Sequence, residues 1–258
     1  MSAYPPVTDA LRDYLLRLGD NCLILGHRNS EWCGHGPVLE EDIALANIAL
    51  DLIGQTQLWL ELAAEVEGKG RTADTLAYAR DAMDFRNLLL LEQPNGDFGM
   101  TLVRQFLFDA WHLPTLHVLT ESSDTRIAAI AEKASKEVTY HLERSTDLVV
   151  RLGDGTPESH SRLQAALDTL WPWVDEMLEC DDIDEAMMSD GVVPALDTIA
   201  DQWQEHVSAT LQRATLGAPD RGRGRFRGRG KHGVHTEHLG TLLAEMQFLP
   251  RAYPDATW

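Results

Sequence analysis

Apolar residues recur at intervals of three and four over most of the chain, and Gly, Pro, Asn and Asp separate these periodic stretches. The spacing is typical of amphipathic helices, and almost no segment has the strict alternation of a strand. The first stretch predicts a helix that ends near the loop at 27–37 and carries one stripe, made of Leu11, Leu15, Leu18, Cys22 and Leu25. Further helices are predicted over residues 38–67, 74–92, 98–121, 125–152, 159–178, 194–215 and 236–249.

Long helices joined by short loops predict an antiparallel helical bundle. The chain is therefore predicted to be all-α, a single domain over residues 1–258, with the core bundle at about 8–180 and additional C-terminal helices at about 181–258. The helix over 38–67 is nearly apolar all round in its middle, which predicts a central helix covered by its neighbours. Pro114 is predicted to kink or split the helix over 98–121.

Polar side chains interrupt the faces that are predicted to be buried. They form one strip of Asn47, Asp51 and Gln55, a second of Gln105, Asp109 and His112, and a core-facing stripe that includes His141. Buried polar groups need partners, and either a metal ion or direct Asp–His hydrogen bonds would supply them. Bundles with two metal ions use Glu-x-x-His, whereas Glu137 stands four residues before His141 at the edge of its stripe, and the residue three before is Val138.

Composition and charge narrow the classes of function. The formal net charge of −19 argues against general binding of nucleic acid. The three cysteines are scattered without a Cys-x-x-Cys pair, which favours a reducing cytoplasm over a disulfide framework or a zinc knot. We expect neither an export signal nor a membrane span, because the N-terminus lacks the pattern of a signal peptide and no run of eighteen apolar residues occurs.

Several motifs, in order from about residue 15 to 250, resemble one family. They are LRLGDNC, EWCGHGP, LANIALDLIGQ, LLLLEQPNGDF, DAWH, KEVTYHLER and VHTEHLGTLLAEMQFL. Each is modest alone, but their order and spacing are similar to the non-catalytic, ferritin-like subunit of bacterial phenylacetyl-CoA epoxidase, also called ring 1,2-phenylacetyl-CoA monooxygenase. The resemblance implies a ferritin-like bundle that binds a related catalytic subunit, in which two irons activate dioxygen.

The resemblance also places this chain's residues at the six ligand positions of such an iron site, namely Leu25, Asp51, Gly54, Asp109, Val138 and His141. Only Asp51, Asp109 and His141 keep a ligand atom, too few for a pair of cations. It therefore implies a cytoplasmic, non-catalytic structural subunit in aerobic phenylacetate degradation, without metal or cofactor of its own. The implied partners are the di-iron catalytic subunit, further subunits including a reductase, and a second copy of the chain.

Two alternatives stay open at this point. One is an oxygen-activating enzyme with its own di-metal site, built from Asp51, Asp109, His112, Glu137 and His141. The other is a ferritin-like storage or mono-metal protein.

Basic residues cluster at 221–231 in an otherwise acidic chain. An Arg-Gly segment is most simply a solvated loop, but Arg223, Arg225, Arg227, Arg229 and Lys231 are also candidates for contact with a partner or with the phosphates of coenzyme A. A few residues later, His235 and His238 have a spacing that would suit a metal. Thr236 stands where a helix N-cap is expected, and this capping role is the preferred interpretation.

Overall fold

A computed structural model describes residues 7–196, 198–219, 229–254 and 256. Within these residues the regular structure is helical, apart from one isolated β-bridge between Arg229 and Val234. The predicted all-α class is confirmed. The α-helices are α1 (Val7–Ser30), α2 (Leu39–Glu67), α3 (Ala73–Tyr78), α4 (Leu89–Glu92), α5 (Phe98–Leu119), α6 (Thr125–Gly153), α7 (Pro157–Leu170), α8 (Asp175–Leu178), α9 (Asp182–Ser189), α10 (Ile199–Arg213), α11 (Glu237–Met246) and α12 (Phe248–Ala252).

The helices group into two compact units. The first takes its described residues from Met1–Pro94, Asp182–Met187 and Gly228–Trp258, and the second from Asn95–Asp181 and Met188–Arg227. The prediction of one domain over the whole chain stays a prediction.

The first unit is built on an antiparallel pair, α1 and α2. Gly19 lies against Leu60 and Gly26 against Ile53, while Cys22 lies opposite Gln55, with 3.5 Å between Sγ and Oε1. Because residue numbers rise on one helix as they fall on the other, the two run in opposite directions. Glycines at two of these contacts allow the backbones to approach closely.

Contrary to the sequence prediction, α1 and not α2 is the more deeply buried helix. From Ala10 to Asn29 no residue of α1 is exposed, whereas α2 has one open side with Leu39, Ile43, Leu50 and Ile53. Two charged side chains of α1 are paired inside the unit. Arg17 forms an ion pair with Asp184, and Asp20 with Arg80.

The single helix predicted over 74–92 is wrong. The segment forms α3, one short 3-10 turn at Ala82–Asp84 and α4, joined by extended residues. Side chains of α1 take the hydrogen bonds that a helix would use: Asp20 accepts from the backbone N–H of Arg86, at 2.8 Å, and Asn21 from that of Leu88, also at 2.8 Å. The backbone donors are satisfied in both arrangements, so periodicity alone could not decide between them.

In the second unit α5 is the central helix, packed against α6, α7 and α10. Trp203 of α10 is fully buried and donates its indole N–H to the carbonyl of Leu107, at 3.0 Å. The helix is not split at Pro114, which lies inside Phe98–Leu119.

Helix α2 is, among the described residues, the one helix long and apolar enough to cross a membrane. Core helices of globular proteins pass the same test, and 44% of its most apolar window is buried inside the chain. The finding is therefore weak evidence for a membrane span.

Candidate functional site

The six positions implied by the resemblance fall three in each unit. In the first unit Leu25 is fully buried on α1, Asp51 is half-buried on α2, and Gly54 lies one turn beyond Asp51. A Cβ atom at Gly54 would meet no other atom within 4 Å. Of these three positions only Asp51 offers a ligand atom.

In the second unit Asp109, Val138 and His141 are all fully buried, as the apolar periodicity predicted. Asp109 lies on α5, and the other two lie on α6. Glu137 is half-buried, in agreement with its predicted place at the edge of the stripe. Among the three ligand positions of this unit, Asp109 and His141 keep a polar group, and Val138 adds apolar packing where a carboxylate would be required.

Both carboxylate oxygens of Asp109 accept hydrogen bonds. Gln105 Nε2 donates to Oδ1 at 2.6 Å from the preceding turn of α5, and Ser145 Oγ of α6 donates to Oδ2 at 3.0 Å. The group joins the two helices through a polar bridge inside an apolar core. Sequence reasoning placed Gln105 and Asp109 on one strip but missed the role of Ser145, although it lies one turn after His141 on the same stripe.

Burial dominates the electrostatics of this cluster. It raises the pKa of Asp109 from 3.8 to about 7, against the opposing effects of His141, the two hydrogen bonds and Arg144. It lowers the pKa of His112 from 6.5 to about 3, with a further contribution from His141. His112 is thus a neutral imidazole at neutral pH, packed with its ring centroid 4.8 Å from that of Phe108.

These residues do not fit a pair of iron ions. Such sites in helical bundles take a carboxylate from each of two helices and Glu-x-x-His from each of two others. Here Leu25 and Val138 fill their positions with buried aliphatic groups, and Gly54 offers no side chain at all. Asp109 is the carboxyl at the ligand positions of the second unit, and it already accepts two hydrogen bonds. Its raised pKa makes it easier to protonate than an ordinary aspartate.

A second buried polar cluster, in the first unit, was not predicted. Glu92 is fully buried at the end of α4, where its Oε1 accepts from Asn87 at 3.1 Å and contacts His235 Nδ1 at 2.5 Å. The backbone N–H and the hydroxyl of Thr236 both donate to Oε2, at 2.8 and 2.5 Å. The run of four leucines directly before Glu92 was the available signal that this acid is buried.

The histidine motif after the Arg-Gly segment is explained by this cluster. Thr236 occupies the N-cap position of α11, as predicted, but its side chain makes no capping hydrogen bond and bonds to Glu92 instead. His235 contacts oxygen atoms through both ring nitrogens, Glu92 on one side and the carbonyl of Phe85, at 2.9 Å, on the other. His235 and Thr236 therefore bind the C-terminal segment to Glu92 at the end of α4.

The basic segment is described only in part. Arg223, Arg225 and Arg227 lie outside the described residues. Lys231 forms an ion pair with Asp184 at 3.1 Å, so its ammonium group takes part in the packing of the first unit. Contact of this segment with a partner or with coenzyme A stays a prediction.

Comparisons with known proteins agree with the resemblance seen in the motifs. The family model described as phenylacetic acid catabolic protein matches residues 4–258. One relative, a protein of Escherichia coli (strain K12) named as a subunit of 1,2-phenylacetyl-CoA epoxidase, is 48% identical over 248 residues, which cover 96% of this chain and 99% of the relative. The family has the ferritin-like fold that the motifs implied. The chain belongs to the family of phenylacetic acid catabolic proteins.

Proposed function

We propose that this chain is the non-catalytic structural subunit of a multicomponent 1,2-phenylacetyl-CoA epoxidase. It acts in aerobic phenylacetate degradation in the cytoplasm. The observation that carries the proposal is that side chains without a metal-binding atom stand at ligand positions. Two of these positions hold the fully buried Leu25 and Val138. A bundle that keeps the helices but fills the metal positions with aliphatic groups is suited to binding and support.

The activity proposed is to bind the catalytic subunit and maintain its geometry. The catalytic subunit, and not this chain, holds the two irons, and a reductase subunit supplies electrons. Within this chain, Asp109, Gln105 and Ser145 stabilise the packing of α5 on α6 without taking part in turnover. The near full-length match to a protein named as a subunit supports a role inside an assembly.

Purification of the chain alone and after co-expression with the catalytic subunit tests this proposal. We expect the two proteins to co-purify, and we expect iron in proportion to the catalytic subunit, with none in excess for this chain. About two irons per chain in the isolated protein would favour a di-metal enzyme and overturn the proposal. Failure of the two proteins to co-purify would overturn the partnership.

The variant Asp109→Asn separates a structural role from a catalytic one. It keeps the size of the side chain and can still accept from Gln105 through its amide oxygen. We expect the assembled complex to convert phenylacetyl-CoA at the wild-type rate per iron. A large loss of turnover in a complex that is intact and fully loaded with iron would contradict the structural role.

A further inference from the structure

The open side of α2 is an apolar stripe that the described residues of the chain leave largely exposed. We define the α2 stripe as Leu39, Ile43, Ala46, Leu50 and Ile53, whose spacing places them on one side of the helix. The four large residues are 72%, 51%, 67% and 39% exposed, in chain order. Ala46 is half-buried between them.

The α2 stripe lies away from the face that holds α2 in place, except that Ile53 at its edge also borders Gly26 of α1. The opposite side of the helix carries Ile48, Leu52 and Trp59, all fully buried. Single exposed apolar residues are ordinary, but a contiguous row along one helix marks an interaction surface. Within the described residues, α2 thus has one face for its own core and one for another molecule.

Charge decides what kind of molecule fits. Helix α2 carries seven carboxylates and no Lys, Arg or His between Leu39 and Glu67. Two of these carboxylates are exposed and border the α2 stripe. Glu40 lies beside its N-terminal end, and Glu61 lies beyond its C-terminal end. Pairing of this helix with its own copy would bring carboxylates together in any register, and each copy has a net charge of −19. An anionic lipid surface would be repelled in the same way.

We propose that the α2 stripe is the surface on which the catalytic subunit docks, through a helix whose own apolar stripe is bordered by Lys or Arg. This inference rests on the proposed function and adds to it the face and the charge of the contact. Apolar contact at Leu50 and Ile43 supplies the buried centre of the interface, and the acidic border selects a basic partner and excludes a second copy.

The test compares Leu50→Glu with Leu249→Glu in binding to the purified catalytic subunit. Leu249 lies on α12, outside α2, and is 47% exposed, so it controls for placing a charge at an exposed leucine. We expect Leu50→Glu to weaken binding at least about 30-fold, as for a central interface residue, and Leu249→Glu to leave it unchanged. Circular dichroism and thermal unfolding check that both variants fold, which their exposure favours.

The charge component needs its own variants. Glu40→Lys and Glu61→Lys leave the α2 stripe intact, and we expect each to weaken binding and to reduce its dependence on salt. Binding that keeps the wild-type affinity and salt dependence in both variants would overturn the proposed basic border.

The outcomes distinguish this inference from the function on which it rests. If the wild-type chain does not bind the catalytic subunit, the proposed function fails. If the wild type binds but Leu50→Glu binds equally well, or Leu249→Glu is weakened to the same extent, the docking surface is wrong and the function stands. Sedimentation of the chain alone identifies a competing occupant: a dimer that Leu50→Glu converts to a monomer, with binding to the catalytic subunit retained, would assign the stripe to a second copy.

Discussion

Gly19 of α1 lies directly against Leu60 of α2. A Cβ atom at Gly19 would stand 2.6 Å from Leu60 Cδ2 and 2.9 Å from its Cγ, well inside van der Waals contact. Leu60 is fully buried, so neighbouring atoms limit how far it can move away. The absence of a side chain at Gly19 thus sets the distance between the two helices.

Two Gly→Ala variants test this relationship. Gly19→Ala should destabilise the protein by about 1–3 kcal/mol, because the added methyl group overpacks the contact with Leu60. Gly54→Ala is the matched control inside α2, where a Cβ meets open space. It should stabilise by about 0.5–1 kcal/mol, since alanine favours helix over glycine. Urea unfolding measures both, and equal effects in the two variants would contradict this account.

The buried pair of Asp20 and Arg80 predicts a large effect of a single substitution. Asp20 is fully buried, accepts from two guanidinium nitrogens of Arg80, and also accepts the backbone N–H of Arg86 at 2.8 Å. Asp20→Ala leaves the Arg80 charge buried without its carboxylate. We expect a loss of about 3–5 kcal/mol in the free energy of unfolding.

The exposed pair of Lys136 and Glu132 provides the comparison for Asp20. The two side chains are joined at 3.2 Å on the surface of α6, where water screens the attraction. Lys136→Ala should leave the unfolding midpoint unchanged. A loss at Asp20 no larger than the loss at Lys136 would show that the buried pair adds nothing to stability.

Part of this fold could be predicted from the sequence. The bounds of α2 and α6 were predicted almost to the residue, because each helix has a clear local start and end. An acidic first turn opens α2, and Gly68 in the left-handed conformation closes it. Local signals of this kind can be read without knowing the rest of the molecule.

Relations between distant residues could not be read in the same way. Arg17 and Asp20 of α1 are buried because they pair with Asp184 and Arg80, which lie far along the chain. The helix predicted over 74–92 failed for the same reason, since its backbone donors bind side chains of α1. At the candidate site, burial of Asp109 and His141 followed from periodicity, whereas the bridge from Asp109 to Ser145 required the packing of α5 on α6.

The raised pKa of Asp109 predicts a pH dependence of stability. Its ordinary value is 3.8, and burial raises it to about 7 in the folded protein. Between these values the folded state holds a proton that the unfolded state releases, so this contribution is complete below pH 4 and is lost as pH rises through about 7. The expected loss is on the order of a few kcal/mol.

Comparison of Asp109→Asn with the wild type isolates this effect. The Asn variant cannot ionise, so the difference in free energy of unfolding should grow in its favour between pH 4 and pH 7 and stay constant above. His112, whose pKa is lowered to about 3, destabilises the fold as pH falls, but it is present in both proteins and cancels in the difference. Parallel stability curves for the two proteins across this range would contradict a protonated Asp109.

Glu92 predicts a local effect on the C-terminal segment. One carboxylate oxygen faces the donors of Thr236, and the other faces His235 and Asn87. Glu92→Gln must turn its amide N–H group toward one of these pairs, and a buried donor left without an acceptor costs about 1–3 kcal/mol. Because Thr236 directly precedes α11, we expect Glu92→Gln to raise the rate of amide hydrogen exchange above the wild-type rate in α11 and α12. The increase in α2 should be smaller. Glu237→Gln, an exposed acid in the first turn of α11, should leave exchange in both helices at the wild-type rate. An equal increase of the exchange rate in α2, α11 and α12 of Glu92→Gln would contradict this local effect. It would mean that Glu92 stabilises the whole unit and not only its C-terminal helices.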